Sequence, residues 1–183
     1  MMKPYIFLDR DGTINKEKNY LYKIEDFEFE DGSIEGLKVL QGKGYGLIVL
    51  TNQSGIARGY YTAEDAGRLH DYMCKTLYAE GVYIEKIYIC PHGPEDNCEC
   101  RKPKLGMYKA AVQDLDIDLE NSYMVGDRVR DLEPAMKLKS KYAFIQTGHS
   151  AEEDITALDS KSIFKSMLDF ADFVPAVQEA REE

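Results

Sequence analysis

Short apolar runs that close on a polar residue, each followed by a helical pattern, recur along this chain and fix its fold class. PYIFLD (4–9), YGLIVLT (45–51), EKIYIC (85–90), SYMVGD (122–127) and KYAFIQ (141–146) have the length and texture of buried strands. SIFKSM (162–167) is a weaker sixth. Between them, SIEGLKVLQGKG (33–44) puts Ile34, Leu37 and Leu40 on one face and stops at glycines. The stretch 62–81 has Thr62 as N-cap, apolar positions Leu69, Met73 and Leu77, and Gly81 as its stop. Helices are also predicted over 105–115, 128–139 and, last, DFVPAVQEAREE (172–183). Strand–helix alternation of this kind predicts a parallel sheet covered on both faces, a Rossmann-like three-layer α/β domain. With 183 residues, one domain spanning 1–183 is expected. The glycines of GKGYG (42–46) precede a strand, so they read as a helix stop and a turn and not as a nucleotide loop.

Charge narrows the partners. A formal net charge of −10 argues against nonspecific binding to nucleic acid or an anionic membrane, though not against a small anionic substrate in a locally positive pocket. The N-terminus lacks the apolar region of a signal peptide, and no apolar run approaches the roughly 20 residues that span a bilayer. A cytoplasmic protein with reduced thiols is expected, so clustered cysteines point to a metal and not to disulfides.

The polar ends of the predicted strands carry the chemistry. Asp9 and Asp11 close the first, Thr51 the second, and Asp127 with Asp131 follows the fourth. In an open parallel sheet these ends share one edge, where ligands bind. Of two aspartates two apart at a strand end, one carboxylate can attack while the other trades protons. A third acid, Asp127, can complete an oxygen-rich Mg2+ site. A calcium loop is disfavoured: glycine falls at the fourth position of DRDGTIN, and the twelfth is Tyr20 in place of a bidentate Glu. After the third strand, Cys90, His92, Cys98 and Cys100 make a C-x-H-x5-C-x-C set. Four such ligands suit a closed, structural Zn2+ bracing the loop that carries Arg101 and Lys102. Cys74 reads as a buried, inert thiol, and His70 and His149 have no partner in the sequence.

DRDGT, the strand-ending Thr51, Lys102 and GDRVRD, in that order, resemble the four-motif set of the haloacid dehalogenase superfamily. FLDRDGTIN, TNQSGIARG, CPH…CECRKP and YMVGD resemble, more narrowly, the D-glycero-D-manno-heptose 1,7-bisphosphate phosphatases, and the related histidinol-phosphatase domains share much of this. The resemblance implies Asp9 as nucleophile and Asp11 as general acid/base. It implies Mg2+ held by Asp9, the Asp11 carbonyl and Asp127, with Asp131 behind them. Thr51 and Lys102 would bind the transferring phosphoryl group and Arg101 would read the substrate. Glu17, Lys18, Asn19 and Tyr20 would contact it too, with Asn52, Gln53 and Ser54. Arg128 stands where the family usually has lysine and is expected to read a second anionic group. Neither connection beside the second strand is long enough for the cap domain of many relatives. The expected site is therefore open and walled by loops 16–29, 52–61 and the zinc loop. The implied protein is a monomeric, capless phosphatase acting on the 7-phosphate of a sugar bisphosphate. A histidinol-phosphate phosphatase is the alternative enzyme, and a catalytically dead, zinc-braced binding module the alternative of another class. A polynucleotide 3′-phosphatase is disfavoured by the acidic balance, and a dehalogenase by the presence of Asp11.

Overall fold

A computed structural model describes residues 2–178. Every predicted strand forms: β1 (Tyr5–Leu8), β2 (Gly46–Asn52), β3 (Lys86–Cys90), β4 (Tyr123–Gly126), β5 (Lys141–Ile145) and a short β6 (Ile163–Phe164). They make one parallel sheet in the order β3-β2-β1-β4-β5-β6. Successive side chains of a strand point to opposite faces, and β1 divides accordingly. Ile6 and Leu8 pack with Leu37, Leu40, Met73, Leu77 and Phe170, from α1 (Ser33–Gly42), α2 (Ala63–Ala79) and α5 (Met167–Phe173). Tyr5 and Phe7 pack with Met107, Tyr108, Ala111 and Ala135, from α3 (Gly106–Asp114) and α4 (Val129–Leu138). Each fully buried aliphatic contributes about 1.5–3 kcal/mol, so Leu37→Ala would cost about 2–5 kcal/mol.

Local signals end the helices where the sequence says they should. Thr62 caps α2 through a reciprocal pair with Asp65, and Gly81, at φ 83°, receives the chain beyond its C-terminus. The final helix is the exception. The last helix among the described residues, α5, starts at Met167 on a Ser166 cap and stops at Phe173. Pro175 forces Val174 into an extended conformation (φ −71°, ψ 141°). The following chain instead pairs with the α1–β2 turn, Val177 N–H donating to Lys43 O at 2.7 Å. Residues 174–178 are therefore not helical, and the rest of the predicted 172–183 helix lies outside the described residues.

Between β1 and α1 there is one 3-10 turn, Ile24–Asp26, and between β2 and β3 the single helix α2. Among the described residues no helix is long and apolar enough to cross a membrane.

Candidate active site

Asp9 leaves the end of β1 with its N–H bonded to Val125 O at 2.9 Å, which ties the turn to β4. The turn then folds over itself: Arg10 O accepts from the Thr13, Ile14 and Asn15 N–H groups. Gly12 has φ 80°, and a Cβ there would strike the Asp127 carboxylate, as would one on Gly148 (φ 49°). Only glycine permits this approach at both positions. Asp127 is consequently packed between two backbones, with the His149 N–H donating to its Oδ2 at 2.7 Å and Thr13 Oγ1 to its Oδ1 at 3.4 Å.

Asp9, Asp127 and Asp131 bring carboxylate oxygens within 4.8 Å of one another. One cation answers them inside the fold. Lys102 Nζ lies 2.7 Å from Asp9 Oδ1 and 2.7 Å from Asp131 Oδ1, its side chain 2% exposed. Burial works against that ammonium, but Asp131 and Asp9 outweigh it and hold its pKa above the ordinary lysine range. One lysine cannot balance three acids. Burial and the Asp131 charge push Asp9 up to about 6 despite Lys102. Burial, Asp9 and Asp131 push Asp127 up to about 8. A cluster of oxygens that resists ionising by itself is what a divalent cation relieves, so the donor set fits Mg2+. Asp131 stands closer than the supporting role expected of it: it contributes an oxygen to the cluster and also accepts from the Arg128 N–H at 3.2 Å, capping α4.

Asp11 is built differently. Its carboxylate receives Arg10 Nη2 at 2.7 and 2.8 Å, Arg10 Nε at 3.1 Å, Asn15 Nδ2 at 3.0 Å and Gln53 Nε2 at 2.9 Å. Burial disfavours its charge, but the Arg10 guanidinium and these hydrogen bonds win and hold its pKa below the usual carboxylate range. Arg10 is itself 0% exposed. Its remaining N–H groups go to Leu21 O at 3.2 Å and to His70 Nε2 at 2.8 Å. An arginine only donates, so His70 Nε2 is the acceptor and the imidazole is neutral with its proton on Nδ1. Burial and Arg10 press its pKa down to about 3. The sequence assigned neither residue a role. The available clue was an arginine between two strand-end acids, which needs a buried acceptor.

Gln53 also donates to Thr51 Oγ1 at 2.8 Å and accepts from Tyr61 Oη at 2.5 Å, so Thr51, Gln53 and Asp11 are held as one unit. Asn52 clamps the Lys102 backbone, accepting its N–H at 3.1 Å and donating to its O at 3.3 Å. It thus positions the lysine as well as facing the cavity.

Above Asp11 opens a cavity of about 230 Å3 lined by all three expected loops. Glu17, Asn19, Tyr20, Asn52, Gln53, Ser54, Arg101 and Arg128 line it as predicted. Lys18 does not: its Nζ turns to Glu28 Oε2 at 3.2 Å. Arg58, Tyr61, Arg130 and His149 line it without having been singled out. Cys90, His92, Cys98 and Cys100 converge beside it, with Cys90–Cys98 and Cys98–Cys100 sulfurs 3.6 Å apart, His92 Nδ1 3.2 Å from Cys100 Sγ and 3.7 Å from Cys90 Sγ. A disulfide needs about 2.05 Å, whereas a tetrahedron with Zn–S near ~2.3 Å has edges of about 3.7 Å. The four donors fit zinc. Cys74 is half-buried and apart from them.

Paired strand-end aspartates, a strand-end threonine, a buried lysine on the first of those aspartates and acids after β4 define the phosphatases of the haloacid dehalogenase superfamily. A family model described as HAD-hydrolase-like matches residues 99–170. The chain is 43% identical over 186 residues to D-glycero-beta-D-manno-heptose-1,7-bisphosphate 7-phosphatase of Haemophilus ducreyi, covering 97% of this chain and 100% of that one. It is 49% identical over 131 residues to the D-glycero-alpha-D-manno-heptose-1,7-bisphosphate 7-phosphatase of Campylobacter jejuni, covering 72% of this chain and 75% of that one. The D,D-heptose 1,7-bisphosphate phosphatase structure from B. bronchiseptica, complexed with magnesium and phosphate, superposes with a TM-score of 0.82 at 31% identity, covering 93% of this chain and 97% of that one. This chain belongs to the D-glycero-D-manno-heptose-1,7-bisphosphate 7-phosphatase family.

Proposed function

We propose that this chain hydrolyses the 7-phosphate of D-glycero-D-manno-heptose 1,7-bisphosphate through an aspartyl-phosphate on Asp9. The observation that carries this is the pairing of two acids with opposite electrostatics at one strand end. Asp9 lies in the acidic cluster against Lys102, and Asp11 is gripped by Arg10. Asp9 and Asp127, with the Asp11 carbonyl and Asp131 beside them, would hold Mg2+, which supplies neutralisation of the phosphoryl oxygens when bound. Lys102 and the Thr51 hydroxyl add to that neutralisation from the protein side.

Asp9 Oδ attacks phosphorus, the bond to the C7 oxygen breaks, and the departing alkoxide takes a proton from Asp11. The Asp11 carboxylate is ionised at rest; a phosphate dianion bound beside it raises its proton affinity, so that it takes a proton from solvent as substrate binds and holds that proton for the leaving oxygen. Once the alcohol leaves, the ionised Asp11 takes a proton from water, which attacks the phosphoryl-Asp9 and frees inorganic phosphate. Gln53 and Asn15 keep that carboxylate aimed during both steps. The Cys3His loop, loaded with Zn2+, braces Arg101 and Lys102, and residues 1–183 act as one capless domain.

The test is kcat/KM on heptose 1,7-bisphosphate, fructose 1,6-bisphosphate and histidinol phosphate under one Mg2+ condition. The heptose bisphosphate is expected to lead. A higher value on histidinol phosphate overturns the substrate assignment.

A further inference from the structure

Thr51, near the end of β2, is 1% exposed, and its Oγ1 accepts from Gln53 Nε2 at 2.8 Å. A hydroxyl carries a single hydrogen. Among the described residues that of Thr51 meets no acceptor.

Gln53 is the reverse case. It is buried, and both Nε2 hydrogens are used, one on Thr51 Oγ1 and one on Asp11 Oδ2 at 2.9 Å. The amide has no hydrogen left to give a substrate. Its backbone is pinned as well: the Gln53 N–H donates to Cys90 O at 2.8 Å, and its O accepts the Ile56 N–H at 3.2 Å.

The remaining atom of the amide, Oε1, accepts from Tyr61 Oη at 2.5 Å. The loop between β2 and α2 delivers that tyrosine. The Tyr60 N–H donates to Gly55 O at 2.9 Å, which turns the chain back, and Tyr61 directly precedes Thr62, the cap of α2. Its ring lies against Gly55, where a Cβ would fall 2.1 Å from Tyr61 Cε1, and the Tyr22 ring stacks on it at 5.3 Å. Burial pushes the Tyr61 hydroxyl up to about 12, so it stays a neutral donor.

Asp11 and Tyr61 together decide which way round the amide sits. A carboxylate only accepts, so Nε2 faces Asp11. Turned over, the amide would set Oε1 against that carboxylate and would itself accept the Thr51 hydrogen. Tyr61 would lose its only acceptor among the described residues. As observed, donation runs from Tyr61 to Gln53 and from Gln53 to Thr51, and the Thr51 hydrogen is left for a ligand.

We infer that Tyr61 is a positioning residue for phosphoryl transfer: through the Gln53 amide it fixes the Thr51 hydroxyl as a donor toward the transferring group. Gln53 serves the same end from inside the protein and not by touching the substrate. The inference rests on the phosphatase reading above, in which Thr51 binds that group, and is independent of which sugar is cleaved.

The experiment measures kcat and KM on heptose 1,7-bisphosphate and on p-nitrophenyl phosphate, together with 1H–15N spectra of the Gln53 side-chain amide. Tyr61→Phe keeps the ring and removes only the hydroxyl. It should lower kcat about five- to tenfold on both esters and leave KM within about twofold. The Nε2 hydrogens should exchange with water at least about tenfold faster. In a Gln53→Met background the same change should cost less than about twofold, because the hydroxyl then has nothing to act through. Tyr22→Leu disturbs the ring packing but spares the hydroxyl, and its kcat should stay within about twofold of wild type. A Tyr61→Phe kcat within about twofold of wild type overturns the inference. So does an undiminished loss in the Gln53→Met background, or an equal loss in Tyr22→Leu. If wild type cleaves only the aryl ester, the heptose assignment fails, yet that ester still decides Tyr61. If it releases phosphate from neither, the phosphatase reading fails and the inference with it. Thermal melts check that each variant folds, and Gln53→Leu serves as the background if Gln53→Met melts early.

Discussion

His70→Leu tests the buried chain that runs from α2 to Asp11. The substitution keeps most of the volume but removes the acceptor 2.8 Å from Arg10 Nη1. A buried donor left without a partner costs about 1–3 kcal/mol, more when charged. About 2 kcal/mol lowers Tm by roughly 4–8 °C in a domain of this size. His70→Gln returns an oxygen acceptor and should recover at least half of that loss. Misaligned Asp11 should also lower kcat in His70→Leu by about tenfold. The pH dependence carries a sign. His70 is neutral when folded, with its pKa pressed down to about 3, but takes a proton near 6.5 when unfolded. The unfolded chain therefore binds more protons below 6.5, and this group removes stability as pH falls, by up to about 1.4 kcal/mol per unit. Asp9 and Asp127, with raised pKa values, work in the opposite sense, but both proteins share them and they cancel in the difference. The stability of wild type relative to His70→Gln should thus move by about 2 kcal/mol against wild type between pH 7.5 and pH 5, enough to reverse the order of the two. Urea unfolding at several pH values measures this. A pH-independent gap, or an undiminished Tm in His70→Leu, would refute the neutral-acceptor assignment.

Asp9→Asn should abolish single-turnover phosphate release with the fold intact, and Asp11→Asn should be severely impaired. Activity of Asp9→Asn within tenfold of wild type removes it from the nucleophile role. Mg2+ affinity should weaken by at least about tenfold from pH 8.5 to 6, because Asp127 (about 8) and Asp9 (about 6) must shed protons to bind it. Calorimetry in buffers of different ionisation enthalpy reads the released protons, and a flat profile contradicts the three-carboxylate site. Elemental analysis should find about one zinc per chain, and its slow removal should lower Tm and loosen residues 90–103. Reduced protein made with zinc available yet lacking it would end the Cys90/His92/Cys98/Cys100 assignment.

What was legible in the sequence follows the range of the interactions. β1 to β5 and the caps of α2 are written in adjacent residues, and so is the Cys3His cluster, whose four side chains fall within eleven positions. The pairing of Arg10 with His70 joins residues sixty apart through helix packing and leaves no local trace. Lys18 was placed at the substrate by its neighbours in sequence, but Glu28 offered a nearer charge. The C-terminal helix failed for a local reason that was on view: Pro175 makes its own predecessor extended.

β1 has a strand on either side, whereas the walls of the cavity are turns and loops. Amides of a central strand exchange with solvent only when most of the fold opens, while loops open at little cost. Residues 5–8 should therefore exchange on the slowest timescale of the molecule, and residues 16–29 and 52–61 on far faster ones. Asp9, the proposed nucleophile, would then stand directly after the slowest-exchanging strand, while the loops that wall the cavity open at far lower cost.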